Sequence, residues 1–424
     1  MTAGGGRRSL WRHADFMKLW TAESVSQLGS QVSLLALPLI AISILRASPF
    51  EVGLLTTVEF APFVLVGLPA GVWVDRLRRR PVLICGDLGR ALALSSIPAA
   101  YALDALTIGQ LYLVAFTTGV LTVFFDVAYQ SYLPALVEAE ELIEGNAKLE
   151  ISRSGAQIAG PGLAGVLIDL VTAPVAVLAD AASFLASAAG IFLIRRQERV
   201  PERAQGAPRR GAMRREMAEG LRYVLGHRLL RPIAATTATA NLFSAVMLAV
   251  LVVFMVRELG LRPAVIGLVF AAGNLGFLAG AVVSSRLAAW VGLGRAIVVP
   301  MALGGLGALL VPLASRAAAV PLLIVAELVT SFGGTAYNIN QVSLRQAITP
   351  ARLHGRMNAT MRFMVWGTLP VGSLIGGILG GTIGLRPTLW VGALGGLLSF
   401  LPAALSPVRS LASIEAAMPA AEPA

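Results

Sequence analysis

Apolar positions in this chain fall into long runs, not into the alternating or 3.6-residue patterns of half-exposed elements. Runs near 20 residues lie at 19–45, 52–74, 82–101, 110–130, 146–171 and 173–194. After one polar stretch, six more follow at 232–256, 264–287, 296–313, 321–340, 358–383 and 386–407. About 20 residues of helix cross a ~30 Å hydrocarbon core. The pattern therefore predicts an all-α membrane protein of twelve transmembrane helices in two six-helix halves. The expected layout is a first half at 1–194, a linker at 195–231, a second half at 232–407 and a tail at 408–424.

Composition agrees with the bilayer as solvent. The chain is 56% hydrophobic and 13% charged, roughly half the charged share of a soluble domain. One cysteine, Cys85, leaves no internal disulfide. His13, His227 and His354 all sit in charged segments outside the apolar runs, so neither a metal centre nor a cofactor is expected. No nucleophile and base cluster at one depth, which argues against an enzyme and leaves no catalytic residues to name. The basic start of the chain precedes an apolar run too long for a signal peptide, so it reads as a cytoplasmic flank.

The net charge of +11 would suggest nucleic acid in a soluble protein, but here the basic residues flank the spans. With the N-terminus inside, about 26 Lys and Arg fall on inner segments, whereas Arg46, Arg257, Arg262, Arg316 and Arg386 fall outside. Both termini are therefore expected in the cytoplasm. The linker carries eleven Arg against four Glu. Its second part places Met213, Met217, Leu221, Val224 and Leu225 on one helical face, which predicts an amphipathic helix on the inner leaflet.

The halves match in order. Pro49, Gly53 and Leu54 reappear as Pro263, Gly267 and Leu268, and at the same offset Gln27 meets Asn241. Asn146, Gly155, Gly160 and Gly165 recur as Asn358, Gly367, Gly372 and Gly377, and Gln130 pairs with Gln341. Two homologous halves joined by an inner linker are the layout of many secondary transporters, with the binding site between repeats.

Between the second and third runs the chain reads GVWVDRLRRR. Gly71, Asp75, Arg76, Arg79 and Arg80 resemble the loop signature of the major facilitator superfamily, with Arg78 where that family usually has glycine. Asp126 resembles the acid that pairs with this arginine cluster in related drug exporters. The resemblance implies an inner latch. In it, Gly71 admits a neighbouring helix, and Asp75 faces the positive N-terminal end of another, expected to be span 11 near Asn358. The counterpart GAVVSSRLAAW keeps Gly280 but has serines in place of the Asp-Arg pair, so the latch is expected to be asymmetric. Gly160, Pro161 and Gly165 in span 5 resemble an antiporter signature. With Gly372 and Gly376 in span 11 they predict tight helix packing between halves that rock against each other. SVSQLGSQVSLLALPL, FFDVAYQSYLPALVEAEEL, DAASFLAS, EMAEGLRYV and LHGRMNA are similar to the enterobactin-exporter and macrolide-efflux branch. Span 4 departs from many proton–drug antiporters in having no arginine, which withdraws that site as the seat of coupling.

What the resemblance implies is a bacterial inner-membrane exporter, a monomer with no nucleic-acid partner. It would move a hydrophobic or amphiphilic small molecule by alternating access, coupled to protons. The alternatives are an uncoupled facilitator or importer and a non-transporting scaffold. Intramembrane acids are functional candidates by default. Glu327 is the first choice for proton coupling, Glu59 the second and Asp180 the third, with Asp180 also read as a structural cap. Gln27, Gln31, Asn241, Asn338 and Tyr337 are expected in the substrate cavity, beside Phe60, Phe63, Phe116, Phe124 and Phe243. Glu23, Asp87, Arg90, Arg153 and Arg362 lie nearer the inner ends, where snorkelling or pairing with the latch is expected. Topology reporters check the layout. Alkaline phosphatase fused after Arg46, Arg262 or Arg316 should be active, and after Arg80, Arg215 or Arg409 inactive. The opposite pattern would invert the orientation.

Overall fold

The computed structural model describes residues 10–74, 77–138, 141–196 and 212–417. Among them every regular element is helical. Helices suit a bilayer because they satisfy every backbone N–H and C=O within one segment. Contacts divide the chain into one unit of residues 1–46 and 58–205 and another of 47–57 and 206–424.

The first unit holds α1 (Ala14–Leu39), the end of α2 (Pro49–Leu65), α3 (Gly67–Val74), α4 (Arg79–Ala102), α5 (Ile108–Leu136), α6 (Leu142–Val171) and α7 (Ala173–Phe192). The second holds the start of α2, α8 (Ala212–Gly226), α9 (Leu230–Arg257), α10 (Pro263–Val291), α11 (Leu293–Ala308), α12 (Leu310–Leu313), α13 (Ala319–Ile348), α14 (His354–Thr382), α15 (Leu385–Leu398) and α16 (Leu401–Ala404). Eleven helical stretches among the described residues are long and apolar enough to span a membrane. The remaining expected span, the second, is delivered as α2 and α3. Pro69 has no N–H to offer Leu65, and the helix breaks there. Bonds from Val66 N to Pro62 O and from Ala70 N to Val66 O, both 2.8 Å, carry the chain through the break. The divisions α11/α12 and α15/α16 likewise precede Pro312 and Pro402.

The pairing of helices repeats. In the first unit α1 lies on α6 and α7, α4 on α5 and α7, and α3 on α5. In the second, α9 lies on α14 and α15, α11 on α13 and α15, and α10 on α13. Small residues set the distances. A Cβ added at Gly372 or Gly376 would stand 2.4 Å from the carbonyl oxygens of Leu242 or Val246 on α9. At Gly160 it would meet Gln31 Cγ of α1 at 2.3 Å. Gly160, Gly372 and Gly376 therefore each pack onto the first helix of their own unit. The residue of α14 that faces away from α9 is Gly377, whose Cβ would lie 3.1 Å from Gly53 Cα at the start of α2.

The linker helix α8 docks on α14. Gly220 abuts the carbonyl of Arg356, and Glu219 pairs with Arg356 at 2.7 Å. Val224 is fully buried, whereas Leu221 and Leu225 are exposed. The expected single apolar face is thus divided: Val224 turns to the bundle, and Leu221 and Leu225 turn outward. The side chains of Met213 and Met217 lie outside the described residues. Beyond α8, His227 Nδ1 accepts from the N–H groups of Leu229 and Leu230 at the start of α9. Partial burial, with Arg228 beside it, holds this imidazole below its usual pKa and keeps the nitrogen an acceptor.

Spans 5 and 6 join through one residue. Thr172 closes α6 with its N–H to Ile168 O and opens α7 with its carbonyl to Ala176 N. Its φ of 78° and ψ of 154° belong to a region that is essentially glycine's. One repeat later Gly384 occupies the same conformation, φ 94° and ψ 166°. Gly292 does so between α10 and α11, at φ 82° and ψ 155°. A β-branched residue in that conformation is strained by about 1–3 kcal/mol. Thr172→Gly is therefore expected to raise the melting temperature in detergent, and Gly384→Ala to lower it. No change in either would show the turn to be relaxed.

Candidate functional site

The second unit carries an open cavity of about 710 Å³. One face of α13 supplies its polar wall. Tyr337, Gln341 and Arg345 recur every four residues, with Asn338 three before Gln341, so they form a stripe along the helix. Opposite them stand Thr237 and Asn241 of α9 and Arg362 and Trp366 of α14. The other walls are apolar or small, with Met247, Phe277, Met301, Gly304 and Gly392.

Fixed hydrogen bonds hold this wall in place. Tyr337 Oη and Thr237 Oγ1 lie 2.7 Å apart, and both also reach Ile233 O. Asn241 Nδ2 donates to Thr237 O at 2.9 Å, and Gln341 Nε2 to Asn338 Oδ1 at 2.9 Å. Tyr337 and Gln341 are buried. Of the five residues expected in a cavity, Asn241, Asn338 and Tyr337 line this one. Gln27 and Gln31 belong to the first unit. There Gln27 donates to Glu23 at 2.7 Å, and Gln31 packs on Gly160. Of the expected aromatics, Phe243 fills a contact with Gly395 instead, and Phe124 stacks on Trp73 at 5.9 Å. Arg345 escaped the sequence reading because it lies beyond the expected apolar run at 321–340, where basic residues are ordinary, whereas α13 continues to Ile348. Its i, i+4 relation to Gln341 was the available signal.

The first unit carries a different polar centre. Asp87 and Arg90, one turn apart on α4, form an ion pair with side chains 0% and 5% exposed. The Arg90 guanidinium lies between Phe125, 4.3 Å to the ring centroid, and Phe184, 4.0 Å. These residues do not snorkel: the short path to water is closed by aromatic rings on α5 and α7. Asp180 on α7 is also buried. Ser183 Oγ donates to it, and Gly29 lets α7 approach α1 at this level. Arg153, by contrast, pairs with Glu150 on the surface at 2.9 Å.

The remaining candidates are scattered. Glu327 on α13 is half-buried against Gly273 of α10 and does not line the cavity. Glu59 on α2 is likewise half-buried, with its backbone against Gly119 of α5. Neither has a hydrogen-bond partner among the described residues. Asp75 and Arg76 lie outside those residues. Arg80 donates to the last carbonyl of α7, at Phe192, and stacks on that ring at 5.7 Å, a placement favoured at a helix C-terminus. Asp126 is exposed on α5, within electrostatic reach of Glu23. Gly71 was expected to admit a neighbouring helix, but among the described residues nothing lies within 4 Å of its Cβ position. Its counterpart Gly280 does serve that purpose, 2.6 Å from Phe332 O.

Comparison with known proteins places this architecture. A family model described as transmembrane secretion effector matches residues 8–423. An uncharacterized MFS-type transporter, YfiS of Bacillus subtilis, is 25% identical over 208 residues, covering 49% of this chain and 48% of that protein. The chain thus spans about half the length of that relative. The multidrug efflux pump Tap of Mycolicibacterium fortuitum is 26% identical over 386 residues, 85% of this chain and 88% of that one. Among solved structures, an inward-facing bacterial homologue of the iron transporter ferroportin superposes with a TM-score of 0.76 at 17% identity, covering 94% of this chain and 99% of that one. A bacterial homologue of the lysosomal transporter Spinster gives 0.70 at 13%, covering 98% and 100%. At these identities the structures speak for the fold alone.

The buried pair on α4 is the part of the site whose removal is most readily measured. Arg90→Ala should cost about 3–5 kcal/mol by stranding Asp87, and an apolar replacement of both residues should recover most of that loss in a thermal melt. Equal losses in the single and double variants would show the two side chains to be uncoupled.

Proposed function

The chain belongs to the transmembrane secretion effector family of major facilitator transporters, and from that premise we propose that it exports an amphiphilic small molecule from a bacterial cytoplasm. The carrying observation is the second unit's cavity. It is large enough for a drug-sized solute, apolar over most of its wall and furnished with a few converging polar groups. Such a lining suits a bulky, partly hydrophobic compound better than a sugar or an inorganic ion. The similarity to a protein named as a multidrug efflux pump supports the outward direction and a drug-like or siderophore-like substrate. The protein would lie in the inner membrane with both termini in the cytoplasm, as the distribution of basic residues favours.

Energy would come from inward proton flow. The sequence contains no phosphate-binding Gly-x-x-x-x-Gly-Lys-Ser/Thr loop for a nucleotide. Glu327 remains the first coupling candidate and Glu59 the second, because each carboxyl lies in a span with no partner fixing it among the described residues. Asp180, buried and bonded by Ser183 one turn along α7, fits a structural role more readily. The latch assigned to Asp75 and the arginines that follow would stabilise one arrangement of the transport cycle.

The test is dye and drug uptake into energised everted vesicles of cells making the protein. Uptake should collapse with an uncoupler. Glu327→Gln should reduce it about tenfold or more, and Asp75→Asn should slow it without lowering the amount of inserted protein. Uptake indifferent to the uncoupler would favour a facilitator. Uncoupler-sensitive uptake unchanged in Glu327→Gln would move coupling to another acid. A protein that moves no candidate solute would be a scaffold.

A further inference from the structure

The cavity of the second unit has an uneven chemistry. Its lining includes two arginines, Arg345 and Arg362, and no aspartate, glutamate, lysine or histidine. Arg345 is 8% exposed, yet no carboxylate among the described residues pairs with it. Its Nε is buried without an acceptor. One helical turn earlier, Gln341 is 1% exposed and its Oε1 has no donor. A buried cation without a counter-charge is costly, and so is a buried amide oxygen without a donor. The first unit shows how the same chain treats an arginine that has only a structural role: Arg90 is closed between two rings and paired with Asp87. Arg345 has neither arrangement and opens onto a cavity whose polar groups are neutral apart from Arg362.

We infer that Arg345 and Arg362 form an anion subsite for the acidic head group of an amphiphile, a carboxylate or phosphate, with its apolar part lying along Met301, Met247 and Phe277. This reading rests on the proposed export function and adds the charge of the substrate to it. The planar guanidinium of Arg345 matches either head group. Gln341 Oε1 stands ready for a hydroxyl or N–H beside the acid. Arg345 lies near the end of α13 and Arg362 in the third turn of α14, so the charged end of the ligand sits at one end of the cavity.

The probe is a dansyl-labelled undecanoic acid, compared with its neutral methyl ester. Binding to the purified full-length protein in an uncharged detergent is read as energy transfer from tryptophan, including Trp366 in the cavity wall. The acid should bind more tightly than the ester. Arg345→Gln and Arg362→Gln should each weaken the acid about tenfold or more while leaving the ester within about twofold, and Arg345→Lys should restore part of the loss. An ester that binds as well as the acid would overturn the subsite. So would acid binding unchanged in both glutamine variants, or equal losses for acid and ester in Arg362→Gln and Arg345→Lys. In nanodiscs of phosphatidylcholine, displacement of the acid by added phosphatidylglycerol assigns the subsite to a lipid head group, and retention assigns it to a free solute. Both outcomes support the anion chemistry. Charge-selective binding without movement of either probe across proteoliposomes would sink the export reading and leave the subsite standing. Transport of the ester with no preference for the acid would do the reverse.

Discussion

Close approach of backbones at small residues is the constraint on which this molecule depends. Lipid tails are as apolar as leucine, so burial of apolar side chains gives helices little reason to associate inside a bilayer. What remains is contact distance. Along α14, Gly372 and Gly376 set the helix against Leu242 and Val246, and Gly380 continues the line against Val250. In the first unit Gly160 sets α6 on α1 in the same way. These contacts place α14 and α9 side by side, and with them Trp366, Arg362, Thr237 and Asn241 on the cavity wall. The polar site is thus a product of glycine spacing on helices that contribute no chemistry at the glycines themselves.

The two units treat charge in opposite ways. In the first, the buried arginine is neutralised in place: Asp87 holds Arg90 and two rings cover the pair. A buried ion pair of this kind adds little net stability, but it fixes how α4, α5 and α7 meet, since only one packing satisfies both partners. In the second, two positive groups face a cavity without an acid. The first unit therefore resembles a core with an internal strut and the second a receptacle.

Much of the architecture was legible before any coordinates. Twelve apolar runs, the basic bias of alternate loops and the offset between halves follow from the bilayer's thickness and dielectric, which act on the sequence one segment at a time. The partners of individual side chains were not legible in the same way. Gly372 and Gly376 are recognisable as packing residues, but whether they face α9 or another helix depends on the rotation of α14 about its axis, which a glycine-rich sequence leaves open. Asp87 and Arg90 look like inner-end residues until Phe125 and Phe184 are brought over them from elsewhere in the chain. Gln27 looks available until Glu23, one turn away, is seen to accept its amide. In each case the missing information was a long-range contact or a choice among rotamers, neither of which is encoded in a local pattern.

The threonine in the turn between α6 and α7 makes that hairpin depend on its surroundings. A strained φ is held only while the surrounding contacts over-determine it, and at Thr172 those contacts are the packed flanks of two helices. Gly384 meets no such penalty in the matching turn between α14 and α15. Two hairpins with the same turn geometry therefore make different demands on the bundle: the second is open to it by local freedom, and the first is kept in it by the helices packed around it.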